Sequence, residues 1–216
     1  MIKDKQLDTL CLRYPVLTGL RDSMAEAAGM IIKCYTKGGK LLICGNGGSS
    51  SDADHMVAEL MKGFELHRLL DDSLIKRFIS ISPGRGRILG GHLEHGLPAI
   101  SLSSNHAIIT AVSNDMDPDL IFAQQVIGYG VEGDILIGIS TSGNSQNIID
   151  ACIAAQALNL RVIGITGKTG GKMKQYCDVI VNVPETITSC VQELHLPVMH
   201  TICKIVENHF YRQQNT

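Results

Sequence analysis

Five short apolar runs recur along the chain, and most of the segments between them are long enough to form a crossover helix. The runs cover residues 40–44, 98–102, 134–139, 160–166 and 179–183. Nearly continuous apolar runs are typical of strands that are buried on both faces, and parallel strands need such crossovers. The sequence therefore predicts an α/β fold, a three-layer αβα sandwich built around a five-stranded parallel sheet.

Helical periodicity marks both ends of the chain. In the first 37 residues, apolar side chains such as Leu7, Leu10 and Leu17 recur at three- and four-residue spacing. This pattern predicts an N-terminal helical segment, residues 1–37, that is broken near Pro15. Further helices are predicted at 108–113, 120–128 and 145–158, and a long C-terminal helix is predicted at 188–211.

Composition and charge narrow the class of protein. The formal net charge is −2, and the chain has no basic run, so we expect no nucleic-acid partner. No apolar stretch approaches the roughly 20 residues that cross a membrane, and the N-terminus lacks the apolar region of a secretory signal. The seven cysteines are scattered, which predicts reduced, structural thiols in a cytoplasmic protein.

A glycine- and serine-rich turn follows the first apolar run and continues into a helix over residues 45–59. Free backbone N–H groups and the helix dipole at such a start attract anions. One turn further on, His55 and Glu59 lie four residues apart and share one helix face. Such a pair is most often an ordinary hydrogen bond, but it also suits metal binding or proton transfer.

A second turn of the same design, Ser-Thr-Ser-Gly-Asn-Ser at residues 140–145, follows the third apolar run. Its hydroxyl and N–H groups can bind a phosphate without a lysine. The simpler interpretation is a serine N-cap beside a glycine turn. Because two such turns at the ends of parallel strands lie at one edge of a sheet, the pair predicts a phosphorylated small-molecule ligand. A Walker loop is excluded, since neither turn contains Gly-Lys-Ser/Thr.

Polar side chains interrupt the apolar sequence of the predicted C-terminal helix at Gln192, Glu193, His195 and His200. Some of them must face an interior or a site, because buried polar groups need partners. With the histidine and glutamate of the earlier helix, they make a ligand set that suits Zn²⁺. Gln192 and His200 are separated by about 12 Å of helix rise, so both can bind one ion only if their side chains extend toward each other. His195 is the alternative ligand.

A set of short motifs extends over nearly the whole chain. The motifs are Cys44-Gly45-Asn46-Gly47-Gly48-Ser49 followed by Asp52, His55 and Glu59; Asn114-Asp115; residues 138–145; Thr166-Gly167-Lys168 with residues 170–173; and Gln192-Glu193 with His195 and His200. Together they are highly specific. By these residues the chain resembles the sugar isomerase (SIS) domain family, and within that family the phosphoheptose isomerase group.

The resemblance implies an aldose–ketose isomerase that converts sedoheptulose 7-phosphate to D-glycero-D-manno-heptose 7-phosphate for lipopolysaccharide or capsule heptose biosynthesis. It implies a homotetramer with one Zn²⁺ per subunit, held by His55, Glu59, Gln192 and His200. Glu59 and His200 are the expected acid–base pair, because the reaction must move a proton between two carbons through an enediol. The positions expected to contact substrate are Asn46, Gly47, Gly48, Ser49, Glu59, Asn114, Asp115, Ser140, Thr141, Ser142, Ser145 and Gln192.

Three stretches depart from the family pattern, and one of them is residues 188–191, where relatives often have an acidic residue and an arginine. Many relatives carry Gly-Arg-aromatic where this chain has residues 61–64, so the arginine is missing or replaced by Lys62. Residues 65–96 are longer than the usual link, and we interpret them as an insertion within a single SIS domain, residues 1–216. Within the insertion, Arg85 and Arg87 in a loop either reach a substrate phosphate or are solvated. His92 and His95 are more often incidental than a metal pair.

Two other functions stay open from the sequence. One is a non-catalytic, phosphosugar-binding regulatory SIS protein of the replication-initiator-associating type, because fold and loops alone do not establish catalysis. The other is an isomerase of a different ketose phosphate. Retention of His55, Glu59, Gln192 and His200 together favours an enzyme.

Overall fold

The computed structural model describes residues 4–212, so residues 1–3 of the predicted helical segment and residues 213–216 lie outside it. Each predicted apolar run is a strand. The strands are β1 (Leu41–Gly45), β2 (Ala99–Ser101), β3 (Ile135–Ser140), β4 (Arg161–Thr166) and β5 (Val179–Asn182). They pair in parallel in the order β2-β1-β3-β4-β5, which confirms the predicted α/β fold.

Helices fill the segments between the strands and both flanks. They are α1 (Lys5–Arg13), α2 (Arg21–Thr36), α3 (Gly48–Met61), α4 (Asp72–Ile81), α5 (Pro83–His92), α6 (His106–Asp115), α7 (Ile121–Tyr129), α8 (Gln146–Ala157) and α9 (Thr188–Tyr211). A 3-10 helix, Pro15–Leu20, separates α1 from α2. The predicted break near Pro15 and the long C-terminal helix are therefore both present.

Alternate side chains along each strand enter two separate cores, because successive residues of a strand point to opposite faces. Leu41 and Ile43 of β1 join a core with buried residues of α1, α2, α3 and α9. Leu42 and Cys44 join the other core, which contains buried residues of α7 and α8. Each fully buried aliphatic side chain contributes about 1.5–3 kcal/mol. The sheet is thus covered by helices on both faces.

The order of the strands reverses direction between β1 and β3. From β1 the chain goes to β2 on one side, whereas β3, β4 and β5 follow each other on the other side. Gly45 at the end of β1 is paired with Ile139 near the end of β3. The two turns predicted to bind an anion therefore leave adjacent strands at the switch point, where ligands bind in open α/β sheets.

The segment 65–96 contains a pair of helices, and one prediction for it is wrong. Residues 83–87, predicted as a loop, form the first half of α5, with Pro83 in its first turn. Proline is favoured at that position, because its missing N–H would be unpaired there. Gly86 and Gly90 let α5 approach α4, since a Cβ at either position would collide with α4 at Phe78 or Ile75. Arg85 and Arg87 therefore lie on a helix.

The cysteines are all free. Burial raises the pKa of Cys34 to about 11 and that of Cys203 to about 12. Thiols that stay protonated are poor nucleophiles and poor metal ligands, so these two side chains serve packing. Within residues 4–212, no helix combines the length and apolar character needed to cross a membrane.

Candidate functional site

Three of the predicted site residues meet between α3 and α9. On α3, Nε2 of His55 lies 3.2 Å from Oε1 of Glu59, as their four-residue spacing predicts. From α9, Nε2 of His200 lies 3.3 Å from Nε2 of His55. The packing of two helices distant in sequence thus places one carboxylate and two imidazoles in a continuous chain of contacts.

The surroundings of this cluster leave it partly open on one side. The side chain of Glu59 is 14% exposed, and its Oε2 lies 3.2 Å from Nζ of Lys62. The ring of Phe64 packs against that of His200, with centroids 5.2 Å apart. Burial, and then the neighbouring His55, lower the pKa of His200. A neutral imidazole at neutral pH is suited to accept a proton or to bind a metal.

The spacing of these donor atoms bears on the predicted zinc site. A tetrahedral Zn²⁺ with bonds of about 2.0–2.1 Å separates its ligands by about 3.3 Å. The His200–His55 and His55–Glu59 separations, 3.3 and 3.2 Å, match two such edges. As they stand, no three His, Cys, Asp or Glu side chains between residues 4 and 212 form a complete group that could hold a metal. Side chains of these three types suit Zn²⁺, and two of the three separations among them fit tetrahedral geometry.

The other predicted ligands of α9 lie elsewhere. The amide of Gln192 rests against Gly48, where any Cβ would collide with it, so this residue reaches the first turn of α3. His195 is fully buried, and neither ring nitrogen has a hydrogen-bond partner. Burial lowers the pKa of His195 to about 4, and the nearby Thr166 backbone opposes this only in part. His195 is thus a core residue on a different face from His200.

The turn after β3 is ordered by its own hydroxyl groups. The Ser140 and Ser145 hydroxyls lie 3.3 Å apart, and the N–H of Gly143 donates to Oγ of Ser140 at 3.2 Å. Ser145 is the N-cap residue of α8, but its side chain makes no capping hydrogen bond. This argues against the simple N-cap interpretation, and it leaves the first N–H groups of α8 available to an anion.

A reciprocal pair of hydrogen bonds connects the two turns. Asn46 donates to Asn147 at 2.8 Å, and Asn147 donates back at 3.0 Å. Ser49 is buried at the start of α3. Asn114 and Asp115 end α6 as exposed residues that hydrogen-bond to each other at 2.7 Å. The structure therefore joins the turns after β1 and β3 directly, whereas the hydrogen bond of the α6 residues joins them only to each other.

Several residues around the site were missed by the sequence predictions. Arg68 and Glu207 form a buried ion pair beside the cluster. Asn147 connects the two turns through its hydrogen bonds with Asn46. Phe64 entered the sequence analysis only within residues 61–64, which differ from the family pattern, yet its ring contacts that of His200. No local pattern marks these residues, since their partners are far away in sequence.

The geometry and the sequence agree with a known family. A model of the SIS domain matches residues 13–80 and 89–167, more than half of the chain. This chain belongs to the SIS domain family.

Proteins named phosphoheptose isomerase are similar to this chain over nearly its whole length. A phosphoheptose isomerase from Shewanella sp. (strain ANA-3) is 36% identical over 215 residues, 98% of this chain and 96% of the relative. The solved phosphoheptose isomerase from Neisseria gonorrhoeae has a TM-score of 0.73 at 33% identity, covering 91% of each chain. That from Francisella tularensis has a TM-score of 0.72 at 32% identity, covering 91% of this chain and 90% of the other.

Proposed function

We propose that this SIS-domain enzyme isomerises sedoheptulose 7-phosphate to D-glycero-D-manno-heptose 7-phosphate. The observation that carries the proposal is the His200–His55–Glu59 contact chain, which lies between α9 and α3, the helix that follows one of the two proposed anion-binding turns. An isomerase of this kind needs a phosphate site and a proton-transfer site within one sugar length of each other. The names of the relatives support the choice of substrate.

The phosphate is proposed to bind at the turn after β3. Ser140, Thr141, Ser142 and Ser145 supply hydroxyl donors, and the start of α8 supplies N–H groups and the positive end of its dipole. The sugar then extends along the edge of the sheet toward α3. The residues proposed to contact it are Asn46, Gly47, Gly48, Ser49, Glu59, Asn114, Asp115 and Gln192.

Proton transfer is assigned to Glu59 and His200. Glu59 removes the proton from C1 of the open-chain ketose, and the C1–H electron pair forms the double bond of the enediolate, which leaves the negative charge on O2. Neutral His200 takes the proton of O1 and passes it to O2, which moves the charge to O1. Glu59 then gives its proton to C2 as the C1–O1 double bond forms, which gives the aldose. Oε1 of Glu59 faces His55 while Oε2 faces the exposed side chain of Lys62, and the substrate would replace Lys62 at Oε2.

A zinc site is part of the proposal. His55, Glu59 and His200 would hold the ion, and the two donor separations near 3.3 Å support these three. Gln192, whose amide rests against Gly48, would become the fourth ligand by turning toward them. When bound, Zn²⁺ would polarise the substrate oxygens as a Lewis acid. The residues that move protons remain Glu59 and His200.

The remaining features of the proposal concern assembly and context. We propose a single SIS domain over residues 1–216 with an insertion at 65–96; the residues 81–88 that the SIS model leaves unmatched lie inside it. We also propose a cytoplasmic homotetramer that serves heptose biosynthesis for lipopolysaccharide or capsule. Exposed apolar side chains on α1 and in the following 3-10 helix, Leu12 at 85% and Val16 at 52%, support a subunit interface there.

Metal analysis and NMR together test the proposal. The purified protein is expected to contain about one zinc per chain. Incubated in deuterated water with sedoheptulose 7-phosphate, it should produce the aldose, with deuterium at C2 wherever the proton on Glu59 exchanges with the solvent before it is transferred to carbon. A panel of shorter ketose phosphates serves as the comparison.

The outcomes separate the candidate functions. Turnover of a shorter ketose phosphate alone would assign a different isomerase. Phosphosugar binding without metal, exchange or product would assign a regulatory binding protein instead. Sedimentation that finds a fully active monomer would refute the tetramer.

A further inference from the structure

A buried ion pair lies next to the proposed proton-transfer cluster. The Arg68 side chain is 1% exposed and that of Glu207 is not exposed at all, and the Nη2–Oε1 distance is 2.9 Å. Arg68 precedes α4 at the base of the 65–96 segment, whereas Glu207 lies on α9. Burying two charges is costly, and such a pair adds little net stability compared with apolar side chains of similar volume. Its further hydrogen bonds suggest what else it does.

Arg68 uses the rest of its guanidinium on the end of α3. Its Nη1 donates to the carbonyl of Leu60 at 2.5 Å, and its Nη2 donates to the carbonyl of Glu59 at 2.9 Å. The last carbonyls of a helix have no partners within that helix. Arg68 therefore supplies donors to the backbone of the very residue proposed as the catalytic base.

Glu207 uses its carboxylate on the loop that follows α3. Oε1 accepts from the N–H of Phe64 at 2.7 Å, and Oε2 accepts from the N–H of Glu65 at 2.9 Å. This holds the Phe64 ring against His200. The same loop is held a second time, since Lys204 of α9 lies 2.5 Å from Glu65.

The pair connects the two helices that carry the cluster. Glu207 follows His200 by seven residues, about two helical turns, so both project from one face of α9. Arg68 is bonded to the last turn of α3, in which Glu59 lies. Helices packed by side chains alone slide by fractions of an ångström, whereas several directional bonds between charged and backbone groups define one arrangement.

We infer that Arg68 and Glu207 are positioning residues, which set the distance between Glu59 and His200 by joining the end of α3 to α9. The inference rests on the proposed isomerase function for its kinetic consequence. A displacement of about 1 Å at a reacting group lowers turnover by about 100-fold. Loss of the pair should therefore lower kcat much more than it changes substrate binding at the turn after β3.

The kinetic test uses Arg68→Lys and Glu207→Gln. Lysine keeps the charge, but one ammonium cannot replace the planar fork that reaches Glu207, Leu60 and Glu59 together. Glutamine keeps the shape but loses one of the two acceptors. For both variants we expect kcat to fall by about 100-fold, with KM for the sugar phosphate and the Kd for inorganic phosphate within about twofold of the wild type.

Asp134→Asn is the matched control. Asp134 is a buried carboxylate that accepts from the N–H groups of Lys40 and Val131, each at 2.9 Å, and pairs with Nζ of Lys40. Like Glu207, it is a buried carboxylate that accepts from two backbone N–H groups and pairs with a cation. It lies just before β3, however, at the opposite end of the strands from the two turns. Its variant should lose comparable stability while keeping the wild-type kcat per folded molecule. Equal effects on kcat in all three variants, or wild-type kcat in Arg68→Lys and Glu207→Gln, would overturn the inference.

A second readout needs no turnover. In the metal-free protein at a fixed pH of about 8, where histidines are neutral, the imidazole nitrogen shifts of His55 and His200 report their contact. Arg68→Lys should shift both signals, and Asp134→Asn should shift neither. If the wild type isomerises no sugar phosphate, the proposed function fails while this measurement still decides the positioning role. Unchanged imidazole signals in Arg68→Lys would refute that role.

Discussion

Nε2 of His200 lies 3.3 Å from Nε2 of His55, although 145 residues separate the two in the sequence. The contact brings α9 against the helix that begins at the turn after β1. It therefore places a proton-transfer group from the end of the chain beside Glu59, which the early part of the chain supplies. The predictions below depend on this arrangement or on the turns around it.

Glu59→Gln should abolish isomerisation and leave phosphate binding intact. The amide cannot accept a proton from carbon, while the turn after β3 is untouched. We expect kcat to fall by at least about 100-fold, measured by NMR with sedoheptulose 7-phosphate, and an unchanged Kd for inorganic phosphate. Glu132→Gln, an exposed substitution just before β3, is the control. Near-wild-type turnover by Glu59→Gln would remove Glu59 from the catalytic role.

His55→Ala should weaken zinc binding. His55 lies in the middle of the contact chain, so its loss removes both of the donor separations near 3.3 Å. We expect zinc affinity to fall by at least about tenfold, and the rise in Tm that zinc gives the wild type to disappear. His92→Ala is the control, because His92 contacts the carbonyl of Ile88 in its own helix. Equal zinc retention by both variants would contradict the proposed site.

Gly143→Ala should damage the phosphate-binding turn. Gly143 has a φ of +66°, and a Cβ there would collide with the carbonyl of Gly170. Such strain costs about 1–3 kcal/mol, and its relief would displace the hydroxyls of Ser140 and Ser145. We expect a lower Tm and at least about tenfold weaker phosphate binding.

Gly128→Ala serves as the control for the glycine in that turn. Gly128 lies within α7, and a Cβ there meets nothing within 4 Å. Alanine favours a helix over glycine by about 1 kcal/mol. This variant should be slightly more stable and should bind phosphate as the wild type does. Intact binding by Gly143→Ala would mean that the turn is not the phosphate site.

His195 should make the fold sensitive to acid. Its pKa is lowered by burial to about 4 in the folded state, against about 6.5 when unfolded. Between these values only the unfolded chain binds the proton, so stability falls as pH falls from about 6.5 to about 4, by up to about 3 kcal/mol. Urea unfolding of His195→Leu should show a smaller loss over this range than the wild type. An exposed substitution, His106→Gln, should leave the wild-type dependence unchanged.

The fold was predictable because its signals are local. The strands follow from apolar runs, and every predicted run is a strand within one or two residues of the expected bounds. The four-residue spacing of His55 and Glu59 was enough to predict their contact, since helix geometry alone determines it. The helix at Pro83–His92 was missed because four of its ten residues are glycines, which local propensity disfavours. Close packing on α4 outweighs that propensity.

The sequence by itself determined the layers of the fold, the two turns at the switch point and the pair on α3, because each depends on neighbours within a few residues. Only the tertiary structure decided that His200 meets His55, that His195 is buried in the core, and that Gln192 lies against Gly48. It alone brought Arg68 to Glu207, 139 residues away. Contacts of this kind depend on how two helices are oriented across a shared core, and no spacing along one helix encodes that orientation.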